Sequence, residues 1–141
     1  MPNFKFILSE GSKTVQTEKD QGECPIFGKK IGDTLSGSFL GLEGAELKIT
    51  GGSDKDGFPM RSDIEGTMRR KIVIPEGIGF CGSFKGKKKV KRYHPGARKR
   101  KTLRGNTIAN DIMQINCSVV KKGEKSAVEL FGKPVAEQPA A

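Results

Sequence analysis

The chain has 141 residues, of which 19 are Gly, and its 26 Lys and Arg outnumber 16 Asp and Glu. That length supports one ordinary domain, and so much Gly argues against a helical bundle. No stretch approaches the roughly 18 consecutive apolar residues of a membrane span, and a net charge of +10 directs attention to an anionic partner.

The predicted elements are mostly strands. Residues 4–8, FKFIL, alternate and then run apolar, as a half-buried first strand would. Gly11 turns the chain into a second strand at 13–17, making a hairpin. A turn or two of helix is expected within 24–30. Gly28 and Gly32 then lead to a third strand at 34–39. The fourth, 46–50, ends at Gly51-Gly52, and the fifth, 70–74, is stopped by Pro75. In the last strand Met113, Ile115, Cys117 and Val119 share one face while Gln114, Asn116 and Ser118 share the other; residues 107–109 lead into it. Short strands joined by Gly-rich turns predict a mainly β fold, a small antiparallel β-barrel of about six strands. That domain is expected over 1–125, with 126–141 a flexible, disordered tail.

Cys24, Cys81 and Cys117 are odd in number and lack C-x-x-C spacing, so neither a disulfide framework nor a zinc knuckle is encoded. The start, MPNFKFILSEG, lacks the layout of a signal peptide. Free thiols in that context suit a reducing cytoplasm.

The positive charge is concentrated. Residues 77–110 contain no Asp or Glu, and they hold Lys85, Lys87, Lys88, Lys89, Lys91, Arg92, Arg98, Lys99, Arg100, Lys101 and Arg104. Without these eleven, fifteen basic residues face sixteen acidic ones. A solvated charged surface normally interleaves both signs. An uninterrupted cationic run is instead stable once a polyanion neutralises it, and nucleic acid is the commonest such partner. An anionic membrane surface fits poorly, because Gly86, Pro95 and Gly96 interrupt any amphipathic helix. The segment 84–105 is therefore the expected RNA-binding element, a basic loop over 85–104 that orders on RNA. Tyr93 and His94 are placed to stack on a base. Arg61, Arg69, Arg70 and Lys71 form a second basic group.

Other motifs are weaker. Residues 77–82 spell G-x-G-x-x-G, but a basic run follows where a dinucleotide site needs a helix and a distant acid. Residues 22–29 space their glycines one residue too far apart for a phosphate loop, and Lys30 stands where Ser or Thr must hold magnesium. Asp54-Lys55-Asp56-Gly57 opens like a calcium loop, yet Phe58 and Pro59 offer no third oxygen, so a turn built on Asp side chains is expected and no metal. His94 is the sole histidine and has no Ser or Cys near it in sequence. No catalytic residues are assigned.

Residues 47–61, LKITGGSDKDGFPMR, resemble the signature of the small-subunit ribosomal protein six family of archaeal and eukaryotic type. That signature is an apolar residue, a small one, two glycines, any residue, Asp, two more residues, then G-x-P-M. Gly51, Gly52, Asp54, Gly57, Pro59 and Met60 match it. The similarity extends to 26–33, 98–108 and 119–123. It implies a non-catalytic constituent of the small ribosomal subunit in the cytoplasm, a β-barrel held against ribosomal RNA beside other subunit proteins. It implies no cofactor, no membrane and no small-molecule substrate. Eukaryotic members carry a long basic C-terminal helix with phosphorylated serines; none precedes Ala141, so the archaeal form is the expected match. Gly51, Gly52 and Gly57 are expected to adopt positive φ and let the backbone approach another surface. Two alternatives compete: a metal-dependent nucleic-acid-processing enzyme using Asp54 and Asp56, and a free-standing RNA-binding module.

Overall fold

The computed structural model describes residues 3–85 and 91–131. Its largest unit is a five-stranded sheet in the order β2-β1-β9-β4-β3, built from β1 (Asn3–Glu10), β2 (Lys13–Asp20), β3 (Thr34–Ser36), β4 (Glu46–Asp54) and β9 (Ile112–Lys121). Phe4, Phe6 and Leu8 alternate with Lys5, Ile7 and Ser9, and all three are fully buried. Each such side chain contributes about 1.5–3 kcal/mol of transfer free energy. Gly11, at φ 60°, closes the hairpin to β2. Ile115 and Cys117 point from the central strand into the same core as Leu47, Ile49, Ile26 and Leu42.

One expectation about this sheet is corrected and another is not confirmed. The first strand pairs parallel with β9, so the sheet is mixed; the long connection that parallel neighbours require is supplied by everything between residues 10 and 112. Among the described residues no pairing joins β2 to β3, and no closed barrel is found. The helix expected within 24–30 is also absent. A 3-10 turn at Gln21–Glu23 precedes it, and the chain there makes turns stitched to residues 106–108 by Gly28 N–H to Ile108 O (3.0 Å) and Ile31 N–H to Asn106 O (3.0 Å). The third strand is shorter than its pattern, because Gly37–Leu40 tightens into a 3-10 turn capped by Ser36.

The fourth strand does not stop at the double glycine. It runs through Gly51 and Gly52 to Asp54 by shifting register against β9 between Ile49 and Gly51. Neither glycine has a positive φ, although Gly57 does, at 83°. A side chain on Gly52 would strike the Gln114 carbonyl oxygen and lie 3.2 Å from Met60 Sδ. Close approach is thus the right reason for this glycine, but the approaching surface is the protein's own sheet. The same shifts turn Ile112 inward and leave Met113 half-buried.

The remaining strands form a smaller lobe: β5 (Arg69–Ile74), β6 (Ser83–Lys85), β7 (Lys91–Tyr93) and β8 (Lys99–Arg104). The fifth and eighth make one antiparallel ribbon, the sixth and seventh another. Ile64, Ile74, Phe80 and Leu103 form a separate core against which Ile72, Phe84 and Ala97 pack. The described part of the expected basic loop is therefore strand and turn.

Part of the segment expected as a tail is folded onto the sheet. A short helix, α1 (Ala127–Phe131), packs against β1 and β2, with Ala127 buried in the main core; residues 132–141 lie outside the described residues. Glu10 anchors it, its carboxylate accepting from the Ser126 hydroxyl (2.7 Å) and the Ala127 amide (3.1 Å) and pairing with Lys122 (3.0 Å). These donors, the Ser126 hydroxyl foremost, hold the Glu10 carboxyl below the usual range. A lowered folded value means stability present above the unfolded value of about 4.3 and lost as pH falls through the folded one. Protection of the Ala127 amide from exchange, relative to the unstructured chain at the same pH, is accordingly expected to be high at neutral pH and to fall as the pH drops through the lowered Glu10 value; protection indifferent to that titration contradicts the anchor. Among the described residues no helix is long and apolar enough to cross a membrane.

Candidate nucleic-acid interface

The smaller lobe carries the charge. Residues 61–104 hold fifteen Lys and Arg against Asp63, Glu65 and Glu76, a formal +12, leaving the rest of the chain at −2. Antiparallel register sorts these cations by face, because directly opposed residues project to the same side. On the β5–β8 ribbon, Arg70 opposes Leu103, Ile72 opposes Lys101 and Ile74 opposes Lys99. The burial of Ile74 and Leu103 makes this the inner face. The outer face carries Arg69, Lys71, Val73, Arg100, Thr102 and Arg104, with Val73 53% exposed. On the β6–β7 ribbon Phe84 turns toward the lobe core, its ring 5.5 Å from Phe80, while Lys85 and Lys91 oppose each other on the far side.

Most predicted RNA-binding residues sit on this surface. Arg70, Lys71, Lys85, Lys91, Arg92, Arg98, Lys99 and Arg100 are exposed, and Lys101 is half-buried. Among the described residues none of these nine pairs with a carboxylate within 4 Å. Lys99 lies with its Nζ 5.6 Å above the Phe84 ring, which fixes its stem without neutralising it. The field of the lobe reaches Cys81, whose thiol is held below its usual range first by the Ser83 hydroxyl and in smaller part by Lys91. Lys87, Lys88 and Lys89 lie outside the described residues. Tyr93 is exposed, but its ring edge rests on Gly82 and its hydroxyl donates to Glu76 (2.7 Å). His94 lies 5.8 Å from the Phe84 ring.

Three assigned cations have a different role. Arg104 is buried, its side chain 6% exposed, and donates to Asp111 (3.1 Å) while facing Asp54 (3.6 Å). Arg69 donates through Nε to Asp54 (2.7 Å), pairs with Asp56, and stacks 4.9 Å over Phe58. Arg61 donates to Asp63 (2.8 Å). Their charges are matched inside the protein, so Arg104 above all is an internal strut and not a surface ligand.

The signature block is where this network converges. Asp54 Oδ1 accepts from the Asp56 and Phe58 amides, both at 3.0 Å, which makes the turn, while Oδ2 faces the two guanidinium groups. Pro59 O accepts from the Arg104 amide (2.9 Å), Arg61 N–H donates to Arg104 O (3.1 Å), and Met60 is buried in the main core. The spacing G-x-P-M thus welds the basic lobe to the five-stranded sheet. With its oxygens engaged by two amides and two arginines, Asp54 is unsuited to ligate a metal, which removes the observation behind the metal-dependent alternative. Sequence reading missed Asp111 and Phe58 as members of the weld; the first acid after the acid-free window was the available signal.

The profile described as ribosomal protein S6e matches residues 4–132. The chain is 46% identical over 136 residues to small ribosomal subunit protein eS6 of Methanosphaera stadtmanae, covering 96% of this chain and 97% of that one. It is 45% identical over 130 residues to the eS6 protein of Methanothermobacter thermautotrophicus, covering 92% and 95%. With the eS6 protein of Methanocaldococcus jannaschii it shares 46% identity over 134 residues, 94% and 93% of the two chains.

Proposed function

The chain belongs to the ribosomal protein S6e family, and from that premise we propose that its basic lobe is the surface that holds ribosomal RNA. As a family member it is a structural constituent of the small ribosomal subunit, cytoplasmic and archaeal in type, where it takes part in translation beside RNA and other subunit proteins. The family is structural, and no catalytic activity is indicated for it. Within that role the contacts proposed are phosphate contacts from Arg70, Lys71, Lys85, Lys91, Arg92, Arg98, Lys99, Arg100 and Lys101.

One observation carries this reading: nine cations without carboxylate partners among the described residues, in a segment of +12, beside three arginines whose charges are matched internally. Proteins hold folded RNA chiefly through phosphate and shape, and this surface supplies the first. Titrating the full chain with small-subunit ribosomal RNA fragments at several salt concentrations tests it. Neutralising roughly six to ten phosphates gives a slope of log K against log salt of about −4 to −9. A slope near zero overturns the assignment. Retention on small subunits through high-salt sedimentation distinguishes an integral constituent from a free-standing module.

A further inference from the structure

The lobe has two cationic faces, each on the side of its ribbon turned away from one shared hydrophobic core. Ile74 and Leu103 of the first ribbon belong to that core with Phe80, and Phe84 of the second packs against it. The inner face of β5–β8 and the Phe84 side of β6–β7 both turn toward that core. Lys71 and Arg100 therefore project outward from one layer, while Lys85 and Lys91 project outward from the other.

Each face also carries a charge arrangement that an isolated protein does not favour. Lys85 and Lys91 oppose each other directly across the hairpin. Lys71 and Arg100 are diagonal neighbours around the exposed Val73. Like charges so placed repel, and a phosphate set between them turns the repulsion into attraction. Glu76, near the hairpin, accepts from the Tyr93 hydroxyl, and among the described residues neither lysine has a carboxylate within 4 Å.

We propose that the lobe is a two-sided clip that joins two separate RNA backbone tracts, one phosphate run lying against Lys71 and Arg100 and the other against Lys85 and Lys91. This rests on the RNA-binding reading above and adds bivalency to it. A one-sided surface leaves one pair of repelling cations facing solvent.

The test uses the full chain with two non-complementary RNA hairpins, one carrying a fluorescence donor and the other an acceptor. Energy transfer between them is expected to rise as protein is added and to fall again when protein is in excess, since each hairpin is then occupied separately. The pairs Lys71→Glu/Arg100→Glu and Lys85→Glu/Lys91→Glu are each expected to abolish transfer. Each should weaken binding of a single hairpin by only roughly tenfold, because the other face is intact. Gln substitutions at the same positions, with cooperative melting unchanged, guard against misfolding of the Glu variants. Single-hairpin binding without energy transfer in the wild-type chain overturns the clip and leaves the RNA-binding reading standing. So does one variant removing all binding while the other changes nothing. Absence of single-hairpin binding overturns both.

Discussion

Asp54→Asn is expected to lower the unfolding free energy by about 3–5 kcal/mol, the range measured when one partner of a buried charge network is removed. Asp54 is fully buried and is the group that Arg69 and Arg104 both face. Asn keeps the shape and one acceptor oxygen for the Asp56 and Phe58 amides, so the turn itself is expected to be retained. The charge is lost, however, and Arg104 has only Asp111, across a partly exposed contact. That remaining pair already holds the Asp111 carboxyl below its usual range, with the Arg104 hydrogen bond as the main cause. Against a typical total of about 5–15 kcal/mol, the loss is large. Chemical denaturation of the full chain measures it. A change under about 0.5 kcal/mol, the size of an ordinary surface substitution, means that the network is ornamental. Because the weld fixes the basic lobe on the sheet, RNA affinity is expected to fall even at temperatures where the variant remains folded.

Gly105→Ala is expected to destabilise by about 1–3 kcal/mol through overpacking. Gly105 follows the last strand of the lobe, and a Cβ there would meet the carbonyl oxygen and carbon of Gly66. Both obstacles are backbone, so no rotamer change relieves them. Two neighbouring hydrogen bonds, Gly105 N–H to Met68 O (3.2 Å) and Asn106 N–H to Ile64 O (2.8 Å), hold the two segments at this distance. Gly51→Ala is the control: its backbone is not left-handed and nothing lies within 4 Å of an added Cβ. Thermal melts that rank the two variants equally contradict the steric account.

The hydrophobic strands were legible because their burial is one-sided. Residues 4–8, 13–17, 46–50, 70–74 and 113–119 alternate, and each lies within an observed strand. The other strands of the basic lobe, β6, β7 and β8, were not legible. In residues 99–104 only Leu103 and Arg104 are buried, so the period of two is written in charged residues on both faces and reads as a loop. Three-residue strands such as β6 and β7 are shorter than any periodic signal. The sequence also could not say whether a closed barrel forms, and none is found among the described residues. Which strands become neighbours, and whether the edges meet, depends on long-range pairing of the first strand with the ninth.

The amino-acid sequence by itself determined the mainly β character, the family through residues 47–61, and the segregation of charge into one segment. These properties are local: alternation, spacing and composition are the same in the unfolded chain. Only the tertiary structure decided which cations are spent. Arg104, Arg69 and Lys101 look equivalent in sequence, yet Arg104 is buried on Asp54 and Asp111, Arg69 is shared with Asp54 and Asp56, and Lys101 pairs with no acid among the described residues. Charge neutralisation falls off within several ångströms, and which groups come that close is a property of the fold.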